Sequence, residues 1–205
     1  MISRKSSILL LLSIFFCLSA HAAKELSAKD VLNKTASVLA NKTGASADFS
    51  IKNTKMGTSS GTIYIKGNKF MAKIPAGIVW YDGTTQWTYI KANEEVNVTT
   101  PTPAQQQNIN PYTFIYLYKK GYTYSMVQNE NTYSVTLLGK DKSKGIGEMV
   151  IVISKKTFVP SLIRMRQGNS WTNITISNFK RAKLNDSMFR FNNKDYPKTE
   201  IIDLR

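Results

Sequence analysis

The chain has 205 residues, of which 28 are Lys or Arg and 13 are Asp or Glu, so its net charge is +15. It contains one cysteine, Cys17, and one histidine, His21, and both lie in the first 22 residues. Without that segment the chain can form no disulfide and no zinc site of the usual Cys and His ligands, and it lacks the histidine of serine and cysteine hydrolases. We therefore expect no bound metal, and few classes of enzyme remain.

The first 22 residues have the pattern of a secretory signal peptide. Arg4 and Lys5 precede an apolar run over residues 8–18, and small residues follow the run. The run is shorter than the roughly 20 residues that a membrane-spanning helix needs. We assign residues 1–22 to a cleaved signal peptide and residues 23–205 to one exported domain. Lipidation of Cys17 is the alternative, and the bulky residues before Cys17 disfavour it.

The positive charge favours anionic partners, which include membrane headgroups, acidic polypeptides and nucleic acid. The lysines are spread in small groups, such as Lys119-Lys120 and Lys155-Lys156, mostly at predicted turns. Lysines at such places commonly protect edge strands from pairing with other chains. We expect no nucleic-acid partner for an exported protein, whereas transient membrane contact is compatible with the charge.

The first predicted element is a helix from Ser27 to about Asn41. Ser27 can cap this helix, and Asp30 follows three residues later, as in a capping box. Apolar residues at helical spacing form one stripe, which must lie on another element. The members of this stripe are Ala28, Val31, Leu32, Thr35, Val38 and Leu39.

From residue 45 onwards, apolar and polar residues alternate and turn residues recur at short intervals, which predicts antiparallel strands. A turn at residues 67–68 places Ile65 opposite Phe70 and Ile63 opposite Ala72. Because side chains alternate along a strand, these four residues share one face of the hairpin.

The next hairpin contains more large aromatic residues than a short hairpin requires. If residues 82–83 form a two-residue Asp-Gly turn, Trp80 pairs with Thr85 and Ile78 pairs with Trp87. Strand alternation then predicts a second set of apolar residues on one face, and its members are Ile78, Trp80, Trp87 and Tyr89.

A polar, proline-marked loop is predicted over residues 100–110, and a short aromatic helix over residues 112–120. Strands resume after this helix, and the last ones are predicted over residues 188–191 and 200–203. In total we expect about ten or eleven strands in a single domain.

Such a sheet cannot be covered by the predicted helices. About ten strands make a sheet on the order of 48 Å wide, whereas a helix with its side chains is only about 10 to 12 Å across. The sheet must therefore curl into a barrel, fold into a two-layer sandwich, or leave an apolar hollow that takes a ligand. Periodicity alone favours a core filled by the protein's own side chains, and the helix-first order favours helices that act as lids over a hollow.

The order of several segments resembles a known family. These segments are ADFSI (47–51), GTIYIKGNKF (61–70), YDGTTQWTYIKANEEVNVTTP (81–101), NPYTFIYLY (110–118) and WTNITISNFKRAKLNDSMFRF (171–191). In this order they resemble the outer-membrane lipoprotein carrier proteins (LolA-like) of the Gram-negative periplasm. The most specific piece is the Asp-Gly turn at residues 82–83 with Trp87 and Tyr89 on the outgoing strand.

The resemblance implies a curved, incomplete antiparallel β-barrel in which an N-terminal amphipathic helix and a short mid-chain helix form a lid. It implies a monomeric periplasmic carrier, without catalysis or cofactor, that shelters the acyl chains of lipoproteins. An inner-membrane lipoprotein-releasing transporter and an outer-membrane acceptor would be its partners. The expected cavity lining is Ile63, Ile65, Phe70, Ile78, Trp80, Trp87 and Tyr89, and the expected lid residues are Val31, Leu32, Val38, Leu39, Phe114, Ile115 and Leu117.

One position departs from the family pattern. The family has a basic residue, often Arg followed by Pro, just before the phenylalanine of the second hairpin, and this residue is thought to hold the lid. Here only Lys66 could take that role, and a lysine lacks the planar fork with which Arg donates two parallel hydrogen bonds.

Two other functions fit the same sequence features. The first is a lipid-sensing regulatory module on the same scaffold, which would bind acyl groups in order to signal. The second is a basic β-sandwich that binds anionic polysaccharide through its outer lysines and aromatic residues.

Overall fold

The structure is a computed structural model that describes residues 25–40, 42–55, 57–102, 105, 119, 121–141 and 145–205. The predicted signal peptide over residues 1–22 lies outside the described residues. So does most of the predicted mid-chain helix, including Phe114, Ile115 and Leu117. Within the described part of the chain, no helix is long and apolar enough to cross a membrane.

The predicted N-terminal helix is confirmed as α1, Ala28–Leu39. Its capping box forms: the backbone N–H of Asp30 donates to Ser27 Oγ at 3.2 Å, and the N–H of Ser27 donates to Asp30 Oδ2 at 3.1 Å. Together these bonds satisfy two backbone donors that the first turn of a helix leaves free. The side chains buried by this helix are Val31, Leu32, Thr35 and Leu39, whereas Val38 is only half-buried.

Twelve strands form one sheet in the described residues. They are β1 Ala45–Asn53, β2 Gly57–Lys66, β3 Lys69–Ile74, β4 Gly77–Tyr81, β5 Gln86–Ile90, β6 Glu95–Thr99, β7 Tyr122–Gln128, β8 Thr132–Gly139, β9 Glu148–Ser154, β10 Pro160–Gln167, β11 Ser170–Arg181 and β12 Glu200–Asp203. Their order across the sheet is β12-β6-β5-β4-β3-β2-β1-β11-β10-β9-β8-β7.

Neighbouring strands are antiparallel throughout, except that β12 pairs with β6 in parallel. The sheet is curved and remains open between its two edge strands, β12 and β7. The mainly β class and the N-terminal helix are therefore confirmed, and the sheet is an open one rather than a closed barrel.

Glycine is required at two places where neighbouring strands approach closely. A Cβ on Gly61 would lie 2.0 Å from the carbonyl oxygen of Lys73, and a Cβ on Gly77 would lie 1.9 Å from the carbonyl oxygen of Tyr89. No side chain fits at such distances, so glycine alone allows the neighbouring strand to come this near.

The first predicted hairpin has the expected register, with Ile65 opposite Phe70 and Ile63 opposite Ala72. The second hairpin does not, because Trp80 lies opposite Trp87 instead of Thr85. Asp82 causes the difference.

Asp82 holds a four-residue turn in place of the predicted two-residue turn. Its Oδ1 accepts hydrogen bonds from the N–H groups of Thr84 and Thr85 at 3.0 and 2.9 Å, and its own N–H donates to the carbonyl of Thr85. The turn thereby shifts the register by two residues. An even shift preserves the alternation, so the four residues predicted to share a face still do.

The chain after β11 is not the predicted strand over residues 188–191. A 3-10 helical turn, Asp186–Phe189, stands there, and the side chain of Asn185 caps it by accepting from the N–H of Ser187 at 3.2 Å. A second such turn, Asn193–Asp195, precedes the predicted final strand, which is confirmed as β12. We call residues 182–199 the C-terminal strap.

The two faces of the sheet bury different sets of side chains. Helix α1 packs on one face, the helix face, over a core that includes Val135, Leu137, Met149, Ile151, Ile153 and Ile163. The C-terminal strap packs on the opposite face of the strands near β12, the strap face, and closes a smaller cluster around Met71, Trp80 and Phe189.

Candidate functional site

The seven residues predicted to line one cavity lie on two faces. Ile63, Ile65 and Phe70 belong to the helix face. Ile78, Trp80, Trp87 and Tyr89 belong to the strap face. The prediction of a common inner face is therefore wrong.

The pairing of β3 with β4 explains this correction. Trp80 lies opposite Met71, and Phe70 lies opposite Tyr81. Paired residues share a face and successive residues alternate, so Phe70 and Trp80 point in opposite directions. The sequence of each turn predicts which residues share a face within its own hairpin. The register between the two hairpins is set by the turn between β3 and β4, whose sequence predicts its geometry less clearly.

The aromatic residues of the strap face are covered by the protein's own chain. Trp80 is only 5% exposed, and its ring centroid lies 5.6 Å from that of Phe191 and 5.7 Å from that of Tyr196. The ring of Tyr89 lies 4.9 Å from that of Tyr196. Edge-on and tilted aromatic contacts at these distances are favourable. Among the described residues, the strap lies over the aromatic hairpin.

Polar contacts hold the strap at its start. Lys66 Nζ donates to the carbonyl of Leu184 at 2.9 Å and pairs with Asp186 Oδ1 at 2.9 Å, while Lys69 Nζ lies 3.3 Å from Asp186 Oδ2. The hydrogen bonds from Lys66 and Lys69 lower the pKa of Asp186 below its ordinary value. Arg190 Nε makes a second tie by donating to Asp82 Oδ2 at 3.0 Å.

Lys66, the predicted lid-gating residue, contacts the strap in this structure. Alternation along β2 places Lys66 on the same face as Tyr64, away from Ile65 and the helix face. Its ammonium group holds the strap, and the contacts described for it do not include α1.

The pocket beside these ion pairs is unsuited to an acyl chain. It has a volume of about 410 Å³ and is lined by Lys69, Asp82, Asp186, Ser187 and Arg190. An apolar chain gains nothing from charged walls, and it would cost them part of their hydration. Among the described residues there is also no group of three or more side chains suited to hold a metal ion.

Buried and half-buried side chains alternate with distance from α1 on the helix face: Val135, Leu137 and Met149 are fully buried, and half-buried apolar residues accompany buried ones on β1–β4. Helix α1 lies beside β7, where Glu25, just before the helix, bonds to Gln128. Lys34 Nζ lies 4.8 Å from the centroid of the Phe158 ring, in the turn between β9 and β10. Phe158 in turn stacks on Tyr133. The helix thus occupies one side of this face.

Beyond the helix, half-buried apolar side chains recur on this face of β4, β3, β2, β1 and β11. Ile63, Ala72 and Val79 are cross-strand neighbours, and Ile51 and Ile174 are another such pair. We call this surface the apolar strip, and its members are Ile51, Ile63, Ala72, Val79, Ile174 and Ile176, all of intermediate exposure. The strip combines one predicted cavity residue, Ile63, with five that sequence reasoning did not select.

One polar atom is buried beneath α1. Thr35 is 1% exposed, and its Oγ1 has no hydrogen-bond partner among the described residues. A buried hydroxyl without a partner costs free energy, so this position is less stable than an apolar one of the same shape.

Comparisons with known proteins agree with this architecture. A solved structure of an uncharacterised conserved protein from Thermus thermophilus is 12% identical, with a TM-score of 0.59, and the match covers 86% of this chain and 98% of that chain. This likeness shows a shared fold.

Two further solved structures are more distant. A LolA superfamily protein from Nitrosomonas europaea is 13% identical, with a TM-score of 0.45, over 82% of this chain and 99% of that one. The MucA/MucB complex from Pseudomonas aeruginosa contains a chain that is 10% identical, with a TM-score of 0.45, over 80% of this chain and 61% of that one. No curated protein sequence matches the chain.

A family model described as "Outer membrane lipoprotein carrier protein LolA" matches residues 18–169. The match covers more than half of the chain and ends before β11 and the strap. The chain therefore belongs to the LolA family of outer membrane lipoprotein carrier proteins.

Proposed function

We propose that this protein is a non-enzymatic periplasmic carrier that shelters the acyl chains of lipoproteins against the apolar strip of its helix face. Membership of the LolA family supports the carrier role. The observation that supports this location of the acyl-binding site is that the strip is apolar and half-buried and is continuous with the core beneath α1. The aromatic part of the strap face offers no comparable surface, because the strap covers it.

The energetics favour such a surface. Burial of an acyl chain yields about 0.8 kcal/mol per methylene, so a chain of about 14 methylenes brings on the order of 10 kcal/mol. A carrier has to recover most of this free energy and still release its cargo. A half-covered strip beside α1 can expose more apolar surface when that helix moves, and it needs no preformed closed cavity.

The proposed carrier is the exported chain of residues 23–205, acting as a monomer. It would receive cargo from an inner-membrane lipoprotein-releasing transporter and deliver it to an outer-membrane acceptor. Deletion of the gene should leave lipoproteins in the inner membrane. A change in a stress response alone, with lipoproteins correctly placed, would favour the lipid-sensing alternative.

Adjacent residues of β11 provide a matched test of the site. Ile174 lies on the apolar strip, whereas Thr175 is exposed on the opposite face. We expect Ile174→Glu to weaken binding of a fluorescent diacylated peptide at least tenfold, because cargo would have to bury the new carboxylate, and Thr175→Glu to change it less than twofold. Equal effects of the two variants, or no acyl binding by the wild type, would contradict the proposal.

Ile174 also packs against the core, so folding has to be checked by circular dichroism. If Ile174→Glu does not fold, the milder pair Ile174→Ser and Thr175→Ser answers the same question. The lining assigned here also predicts that Trp87→Ser affects acyl binding less than Ile174→Ser, since Trp87 belongs to the strap cluster.

A further inference from the structure

A second surface lies on the strap face beyond the reach of the strap. Of the three tryptophans, Trp80 and Trp87 belong to the strap cluster, and Trp171 on β11 belongs to neither core. The guanidinium carbon of Arg164 lies 4.8 Å from the centroid of the Trp171 ring, and that of Arg166 lies 5.9 Å from it. Cation–π contact with the indole favours both guanidinium groups near this ring at the surface.

The charges of this surface are only partly balanced. Arg166 is paired with Glu148, whose Oε2 lies 3.1 Å from the Arg166 Nη2. Arg164 Nε donates to the neutral Oδ1 of Asn173 at 3.2 Å. Within the described residues, no carboxylate forms an ion pair with Arg164 or with Lys52.

The sheet register brings the two unbalanced cations together. Lys52 on β1 and Arg164 on β10 are both cross-strand neighbours of Asn173 on β11. They are therefore two strands apart, at a backbone spacing of roughly 10 Å. The next row along these strands holds Leu162, Thr175 and Ser50, which carry no charge. We call Lys52, Arg164, Arg166, Trp171 and Asn173 the basic patch.

We propose that the basic patch docks an acidic segment of a partner protein. Arg164 lies over the Trp171 ring, and its terminal N–H groups can bind a carboxylate with two parallel bonds. Trp and Arg are also the residue types that contribute most at protein interfaces. The patch is part of an open strand surface, which suits an extended peptide.

The choice of a protein partner over a lipid surface rests on the proposed function. The basic patch and the apolar strip lie on opposite faces of the same strands, since Asn173 and Ile174 are adjacent in β11. A membrane bound at the patch would turn the apolar strip away from the lipid. A protein partner bound there leaves the strip free to take up or release acyl chains.

The test uses the exported chain and a labelled eight-residue peptide of alternating Glu and Ser, with fluorescence anisotropy at low salt. We expect Arg164→Gln and Trp171→Leu each to weaken binding of this peptide at least fivefold. Lys91→Gln, which removes one exposed positive charge at the turn between β5 and β6, should change it less than twofold. Lys52→Gln takes the place of Trp171→Leu if that variant does not fold.

Several results would overturn the proposal. Equal losses from Arg164→Gln and Lys91→Gln would mean that the peptide responds only to net charge. Binding of phosphatidylglycerol vesicles or of polygalacturonate, but not of the peptide, would assign the patch to a membrane or to a polysaccharide. The acyl-binding assay separates the two proposals, because Arg164→Gln should retain acyl binding whether or not it loses the peptide.

Discussion

Phe189 is the residue through which the strap can be tested most directly. It is 0% exposed and packs in the strap cluster with Met71 and Trp80. Replacement of a fully buried Phe by Ala usually costs about 3–5 kcal/mol, through lost burial and the cavity that remains. The strap is short and can partly collapse into that space, so we expect Phe189→Ala to lower the free energy of unfolding by about 3 kcal/mol. Each 1.4 kcal/mol corresponds to about tenfold in the equilibrium constant, so the constant should shift about a hundredfold.

The assay is urea unfolding followed by circular dichroism and by tryptophan fluorescence. Trp80 rests on Phe191 and Tyr196, both in the strap, so loosening of the strap should also shift the tryptophan emission to longer wavelength in the folded protein. Ser187→Ala, an exposed change in the same 3-10 turn, is the control and should cost less than about 0.5 kcal/mol. A Phe189→Ala variant within about 1 kcal/mol of wild type, with unchanged emission, would refute the assignment of the strap as the cover of the aromatic hairpin.

Two further substitutions test other parts of the structure. Hydrogen bonds from Lys66 and Lys69 lower the pKa of Asp186 below its ordinary value of 3.8. The stability they contribute is present above that value and is lost as the pH falls through the lowered pKa. The urea midpoint of Asp186→Asn should therefore be lower than that of wild type at pH 7, and the difference should shrink below about pH 3.8. Thr35→Val, measured by thermal unfolding, should raise stability by roughly 1 kcal/mol, because it removes a buried hydroxyl without a partner and keeps the shape.

Each of these has an outcome that contradicts it. A constant difference between Asp186→Asn and wild type from pH 7 to pH 2 would show that the carboxylate is not held by the two lysines. Loss of stability in Thr35→Val would show that the hydroxyl is hydrogen-bonded. Thr35→Ser, which keeps the hydroxyl and removes a methyl group from the core, should be destabilised in either case.

The sequence predicts local structure well where a short motif decides it. The capping box of Ser27 and Asp30 marks the start of α1, and the turn at residues 67–68 sets the β2–β3 register. The Asp-Gly pair at residues 82–83 correctly predicts a hairpin, but not the length of its turn. An aspartate that accepts two backbone hydrogen bonds stabilises a four-residue turn equally well, and Asp82 also accepts from Arg190, which is 108 residues farther along the chain.

The strap could not be predicted from periodicity. Met188, Phe189 and Phe191 look like a short strand by composition, yet Asn185 caps a 3-10 turn there and directs Phe189 into the sheet. Aromatic residues recur close to the C-terminus with no strand partner left for them. This recurrence is the sequence feature that could have indicated the strap. Sequence reasoning assigns the hairpin aromatics to a cavity lining because it has no candidate on the same chain to cover them.

The apolar side chains on the two faces of β3 and β4 are covered by different elements, and this difference indicates where cargo would bind. On the strap face, rings from the strap fill the space over Trp80 and Tyr89, and ion pairs to Asp82 and Asp186 hold the strap in place. A cargo chain there would have to displace side chains that already bury the same kind of surface, so it would gain little. On the helix face, α1 is about 10 to 12 Å across and lies beside β7, whereas the five strands of the apolar strip extend over roughly 24 Å. Apolar surface that no element of the described chain fully covers is where an acyl chain gains most by binding, and this favours the strip over the aromatic hairpin as the place of the cargo.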